Sequence, residues 1–257
     1  MKLTIVASNR DRLDTSSPKI THWFLRSLAW QDCKDFELVI ADGGSKNFEE
    51  IRYDLEDAIS TFPIRRRIVQ HKIGELFERA KLNNVGIRNA TAPYILCTDV
   101  DMIFGPNLVS TVLKNMDANT FLESRTMYLN DAQAGMIYSG KLDPLNNIAA
   151  CRIGRTKKRT TAGGLQCTSI ENWNKLRGYN EEMVGWGSED YELLTRAGMA
   201  GLKVKWLGEA NDVMVFHQPH PKPDIKKDLE CQEKNKKHLY NIRDYKANPK
   251  GWGGQNE

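Results

Sequence analysis

The chain has 257 residues, 40% of them hydrophobic and 27% charged, with a formal charge of +4. That length accommodates one α/β domain or two small ones with ample core, and the composition excludes a low-complexity, collagen-like or disordered chain. No apolar run approaches the roughly 18 residues of a membrane span, and Met1-Lys2-Leu3 leads straight into a strand without the apolar core of a secretory signal, so a cytoplasmic protein with no membrane span is expected.

Cys33, Cys97, Cys151, Cys167 and Cys231 are scattered, odd in number and never in Cys-x-x-Cys spacing. This argues against a disulfide framework or a cysteine-built zinc site. The modest positive charge fits an anionic nucleotide donor, and equally permits an acidic acceptor or a weak nucleic-acid contact.

In chain order, Leu3-Thr4-Ile5-Val6-Ala7-Ser8 is a β-branched apolar run and predicts a buried first strand. Residues 9–17 are polar and turn-prone, and 18–30 carry Ile20, Phe24, Leu25 and Leu28 at helical spacings. Residues 36–41 predict a second strand closed by Asp42-Gly43-Gly44-Ser45, and 48–61 the next helix. Residues 65–71 predict a short strand whose three consecutive arginines suit a sheet edge. A helix over 75–89 and a strand over 94–98 follow. Strands alternating with helices predict a parallel sheet with right-handed crossovers.

Beyond Asp101 the rhythm changes. A helix is predicted over 106–116, a strand over 121–128, an irregular polar stretch over 130–161, helices over 170–176 and 189–200, and a strand over 202–207. The division expected is a catalytic domain at 1–218, with a donor-nucleotide half (1–105) and an acceptor half (106–218), followed by a basic extension at 219–257 packed on the domain or trailing from it.

Ligands in open parallel sheets bind beyond the carboxyl ends of strands. Asn9-Arg10, Asp42-Gly43-Gly44 and Asp99-Val100-Asp101 all fall at such ends. Asp99 and Asp101 lie two residues apart at a strand end, and Phe104-Gly105-Pro106 offers a turn after them. Such oxygen ligands suit Mg²⁺ or Mn²⁺ on a diphosphate, whereas a solvated turn would also carry two acids. His217 ends the apolar segment Val213-Met214-Val215-Phe216, where it is either a strand-end hydrogen-bonding group or a ligand that favours Mn²⁺. His220, between two prolines, reads as a loop residue or a minor contact.

Glu189 and Asp190 open a helix after Gly185-Trp186-Gly187-Ser188. Acids are favoured at helix N-termini on dipole grounds alone. Capping does not, however, require an indole between two glycines, which offers a stacking face for a sugar on an adaptable backbone. One of these carboxylates could take a proton from an acceptor hydroxyl while the other holds the acceptor.

The ordered set of motifs resembles a GT-A fold glycosyltransferase of the family two group, with a galactosyltransferase-type Trp-Gly-x-Glu-Asp segment; the resemblance runs from Leu3 to about His217. It implies a Rossmann-like α/β fold with a mostly parallel central sheet, Mn²⁺ or Mg²⁺, and a UDP-sugar donor. By resemblance Asp42 contacts the nucleotide base, although Ala41 replaces the acid that common members carry before it. The segment 81–90 resembles the helix that presents a basic residue and an Asn toward the donor, here Lys81 and Asn84, while Asn9 and Arg10 join the donor side. Asp99-Val100-Asp101 resembles the metal and donor motif, and Gly163-Gly164 followed by Gly178-Tyr179-Asn180-Glu181 resembles the acceptor-side stretch. Asp190 is then the catalytic base, with Trp186, Gly187, Glu189 and Gly164 binding substrate, and His217 the third metal ligand beside Asp99 and Asp101.

The resemblance thus implies inverting transfer of a hexose or N-acetylhexosamine to an acceptor hydroxyl, on a saccharide or glycan precursor. The basic run 152–159 keeps open a hydroxymethylated base in DNA, as for a phage-type enzyme, which would make binding salt-sensitive and require base flipping. A sugar nucleotidyltransferase would want a glycine-rich first loop, which Ser8-Asn9-Arg10-Asp11-Arg12 does not supply. A sugar-binding protein without chemistry is a further alternative.

Overall fold

A computed structural model of the chain describes residues 1–11, 20–46, 48, 64–143, 163–208, 213–220 and 225–254. The expected helix at 48–61, apart from residue 48, and the basic run 152–159 lie outside the described residues.

Seven strands form the main sheet: β1 (Leu3–Asn9), β2 (Phe36–Asp42), β3 (Arg65–Gln70), β4 (Tyr94–Asp99), β6 (Thr120–Ser124), β8 (Gln166–Ser169) and β9 (Lys203–Leu207), in the order β3-β2-β1-β4-β8-β6-β9. Its first four strands are parallel, β8 runs antiparallel to both of its neighbours, and β6 pairs with β9 in parallel. A small second sheet holds β5 (Met102–Phe104), β10 (Val215–His217) and β7 (Met127–Tyr128), in the order β5-β10-β7.

Every residue of β1 and β2 is buried, as expected for strands covered on both faces. Alternation sorts them between two cores. Leu3, Ile5, Ala7, Leu38 and Ile40 face a cluster that includes Phe24 and Leu28 of α1 (Ile20–Ala29), while Val6 and Val39 face one that includes Ile87, Trp173 and Leu193. The arginine-rich β3 lies at the sheet edge, with Arg65, Arg66 and Arg67 exposed, where charge discourages pairing with another chain.

Several expectations change in detail. The strand expected over 121–128 is two strands in different sheets, because the chain leaves β6 at Arg125 and re-pairs as β7 beside β10. The irregular stretch contains α4 (Asp131–Tyr138), started by a reciprocal cap between Asn130 and Gln133. Strand β8 follows the Gly163-Gly164 turn, where no strand was expected, and β5 follows Asp101. The helices α3 (Leu108–Asn115) and α5 (Ile170–Leu176) match expectation closely. Helix α6 (Glu189–Met199) carries α7 (Ile225–Tyr240) against it, and the chain then returns to bury Trp252 in the second core. Among the described residues no helix is long and apolar enough to cross a membrane.

Helix α2 (Arg79–Arg88) lies against β1 through Gly86, where an added Cβ would sit 2.2 Å from Val6 Cγ1. Gly86→Ala gains helix propensity of about 1 kcal/mol but overpacks the contact at a cost of about 1–3 kcal/mol. The net expectation is a lower urea midpoint, partly restored by adding Val6→Ala; a raised midpoint for Gly86→Ala alone would contradict this packing.

Candidate active site

Three strand ends meet on the side expected to hold the donor. The β1–β2 register sets Asn9 opposite Asp42, and the β1–β4 register sets Ser8 opposite Asp99. Asn9 Nδ2 donates to Asp42 Oδ1 (2.7 Å), which also accepts from Ser45 Oγ (2.5 Å). Asp42 Oδ2 accepts the backbone N–H groups of Gly44 and Ser45 (3.0 Å each). Asp42 is therefore buried and engaged in holding its own turn, with positive φ at Gly44. Arg10 stays on this side, donating to the carbonyls of Gly74 (2.6 Å), Glu75 and Leu76 (3.4 Å).

The two aspartates of the strand-end motif part company. Val100 and Asp101 form a turn, after which β5 pairs antiparallel with β10 and sets His217 opposite Met102. Gln218 locks the turn through its backbone and side-chain N–H donors to Asp101 O (3.0 and 3.2 Å). Asp101 Oδ2 then lies 3.7 Å from His217 Nε2 and 3.2 Å from His220 Nε2. One ligand atom from each of these three residues falls within 4.8 Å of the others. The β7–β10 register adds Tyr128, its ring 4.9 Å from that of His217. A carboxylate and two imidazoles form a mixed oxygen and nitrogen donor set that fits Mn²⁺ better than Mg²⁺. His220 thus takes the place in this cluster expected of Asp99.

Asp99 is held elsewhere. Arg79, its side chain 9% exposed, donates from Nε to Asp99 Oδ1 (2.6 Å) and from Nη1 to Asp190 Oδ1 (2.8 Å) and Glu189 Oε1 (3.3 Å). Burial raises the Asp99 carboxyl above its ordinary value, with Arg79 opposing and Asp101 adding to the rise. Burial, then the charge of Asp190, pushes Glu189 up to about 7 against the pull of Arg79.

Behind Asp190 the fit is steric. An added Cβ on Gly163 would sit 2.4 Å from Asp190 Oδ2, and one on Gly164 2.4 Å from Thr126 Oγ1. Glu123 fixes this turn: its Oε1 accepts Gly163 N (3.0 Å) and its Oε2 accepts Gln166 Nε2 (2.7 Å). Gln166 in turn donates to the Asp190 carbonyl (3.2 Å) and accepts from Tyr179 Oη (2.8 Å).

On the side expected to hold the acceptor, Trp186 is 46% exposed, while Gly185, Gly187 and Ser188 around it all have positive φ. Helix α7 holds the loop in place. Asn235 Nδ2 donates to the carbonyls of Val184 (3.2 Å) and Gly187 (3.0 Å), and Cys231 fills the space beside Gly185.

Of the expected donor contacts on α2, Asn84 is fully buried and clamps the Tyr179 loop: its Nδ2 donates to Tyr179 O (2.9 Å) and Glu181 Oε1 (2.8 Å), and its Oδ1 accepts from Tyr179 N (2.7 Å). Lys81 lies 3.7 Å from Glu78. The basic residue that α2 brings to the centre is Arg79. The signal for it was available, since Arg79 lies two helical turns before Gly86 and shares the face packed on the sheet. Glu123 and His220 carry no comparable signal.

Residues 17–130 match glycosyl transferase family 2, and residues 148–218 match the family described as the N-terminal domain of galactosyltransferase. The fold agrees: S. aureus TarS 1–349 superposes with a TM-score of 0.60 at 16% identity, over 95% of this chain and 66% of that one. The mannosyltransferase PcManGT from Pyrobaculum calidifontis, in complex with GDP-Man and Mn²⁺, gives 0.62 at 17% identity, over 96% and 66%. GalNAc-T7 with UDP, GalNAc and Mn²⁺ gives 0.59 at 16%, over 87% and 45%. The chain has the GT-A fold, and both family matches are to glycosyltransferases. Among curated relatives, an uncharacterized glycosyltransferase of Rickettsia felis is 33% identical over 105 residues, which is 40% of this chain and 16% of that protein. A probable N-acetylgalactosaminyltransferase 9 of Caenorhabditis elegans is 25% identical over 206 residues, 72% of this chain and 35% of that protein.

Burial, then the charge of Asp190, pushes Glu123 up to about 8, with hydrogen bonds from Gly163, Gln166 and Ser124 pulling it down. Its folded value and that of Glu189 lie above the unfolded value of roughly 4.3, so the folded chain keeps protons that the unfolded chain releases. This stabilisation is complete below about pH 4.3 and is lost as pH rises through about 7 for Glu189 and about 8 for Glu123. The urea midpoint should fall across that window, and Glu123→Gln should flatten the upper part; an unchanged slope in the variant would contradict the assignment.

Proposed function

We propose that the chain is a metal-dependent, inverting glycosyltransferase that moves a hexose or N-acetylhexosamine from a UDP-sugar to an acceptor hydroxyl on a saccharide or glycan precursor. The observation carrying this reading is that Asp190 is held by Arg79 beside the strand end of Asp99, at the meeting of the donor and acceptor sides. Solved structures of this fold that contain UDP, UDP-GlcNAc, or UDP with GalNAc and Mn²⁺ support the choice of donor.

Asp101, His217 and His220 would hold the metal, while Asp99 is engaged by Arg79. The ion's role when bound is to offset negative charge on the departing diphosphate. The exposed face of Trp186 stacks on the acceptor sugar. Glu189, raised by burial and by the charge of Asp190, would hold the acceptor by a hydrogen bond beside Asp190. The Asp190 carboxylate accepts the proton of the attacking hydroxyl as its oxygen bonds to the anomeric carbon and the carbon–phosphate-oxygen bond breaks, releasing UDP. Direct displacement from the opposite face inverts that carbon, with no protein nucleophile involved. Arg79 holds Asp190 at the attacking face throughout.

The test is UDP release from a panel of UDP-sugars with Mn²⁺ or EDTA. One donor should be turned over, EDTA should abolish the activity, and Asp190→Asn should lower transfer by about 10²–10⁴-fold. His220→Ala should raise the Mn²⁺ concentration needed by about 10-fold or more, comparable to the loss of a supporting partner at a metal site. No turnover with any UDP-sugar would exclude the UDP assignment, and an unaltered Mn²⁺ requirement in His220→Ala would return the third ligand to Asp99.

A further inference from the structure

The Arg79 guanidinium is forked across the site. Nε is committed to Asp99 on the donor-side strand β4, and Nη1 to Glu189 and Asp190 at the start of the acceptor-side helix α6. Tyr179 covers it, its ring centroid 5.9 Å from the guanidinium carbon. These partners lie 20, 110 and 111 residues away in sequence, so the contact exists only in the assembled fold. Asp99 and Asp190 each hydrogen-bond this one cation from a different nitrogen. A shift of Asp99 as a donor arrives therefore bears on the group that holds Asp190.

We propose that Arg79 is a positioning residue that couples the donor half of the site to the acceptor half, so that the state of Asp99 is transmitted to the placement of Asp190. A planar guanidinium fixes two acids on separate nitrogens of one rigid fork; a lysine ammonium keeps the charge but offers its donors from a single point on a flexible stem and would lose that rigid link. What the coupling serves rests on the transferase reading above, but its existence can be read without turnover.

The experiment is a mutant cycle in urea unfolding: Asp99→Asn, Asp190→Asn and the double substitution, each made in the parent, in Arg79→Lys and in Arg79→Gln. With Arg79 present the two aspartate substitutions should be non-additive by about twofold to a hundredfold in the unfolding constant. Without the forked guanidinium this coupling should change, leaving only the direct repulsion between the two acids. Where Arg79→Gln does not fold, the Arg79→Lys series carries the comparison. The same coupling in all backgrounds overturns the proposal.

In the active enzyme Arg79→Lys should lower kcat by about 10-fold or more with little change in the KM for donor, which general destabilisation would not produce. A rise in donor KM with unchanged kcat would assign Arg79 to donor binding alone. A parent that turns over no nucleotide sugar would defeat the transferase reading while leaving the cycle to decide the coupling.

Discussion

Around the Arg79 guanidinium the fold gathers more negative charge than one cation can neutralise. Asp99, Glu189 and Asp190 all reach it within hydrogen-bonding distance, in a setting where its own side chain is almost wholly out of water. Removing one partner from such a buried set costs far more than removing a surface pair, because the remaining charges are left unmatched. Much of the surrounding architecture serves this cluster. The α2–β1 contact at Gly86 sets the helix that carries Arg79, β4 delivers Asp99, and α6 begins at Glu189. The burial that makes the cluster costly also raises Asp99 and Glu189 above their ordinary values.

The acceptor side depends on backbone that only small residues permit. Gly163 leaves room for the Asp190 carboxylate, and Gly185 leaves room for Cys231. Ser188 takes a positive φ at the start of α6, an unfavourable position for a residue with a side chain. The strain is opposed by packing from behind, since Asn235 donates to two carbonyls of the Trp186 loop. Helix α7 is thus structurally continuous with the site, and the exposed indole has a rigid base although it sits on a loop.

The donor edge was legible because its signal is local. Runs such as Leu3-Thr4-Ile5-Val6 and Tyr94-Ile95-Leu96-Cys97 announce buried strands, and the polar residues at their carboxyl ends fall where parallel sheets bind ligands. Trp186-Gly187-Ser188-Glu189-Asp190 was legible as a motif and as a helix start. Side-chain partners were not legible, since they are chosen across 20 to 110 residues of chain. Helical spacing from Gly86 singles out Arg79 over Lys81, but nothing local says that Asn84 spends its amide on the Tyr179 loop or that Glu123 backs Gly163. His220 was hidden for a different reason. Prolines on both sides read as an exposed loop, yet the β5–β10 register and the Gln218 bonds to Asp101 bring that loop onto the strand-end aspartate.

The divergence of Asp99 and Asp101 follows from the same charge balance. Two acids spaced two residues apart would share one face if the strand ran on; the turn at Val100 and Asp101 separates them and gives each a different partner. Asp99 goes to a fixed guanidinium, and Asp101 to two imidazoles that are neutral when they act as ligands. The permanent cation therefore lies on the Asp190 side, and the donor set suited to a removable cation lies on the Asp101 side. A divalent ion at Asp101, His217 and His220 would add two positive charges where the cluster is short of them, and a nucleotide diphosphate would bring negative charge to the same place. On the proposed reading the ion would offset the acid surplus around Arg79 and give the diphosphate a cation to approach, which the acids alone would repel.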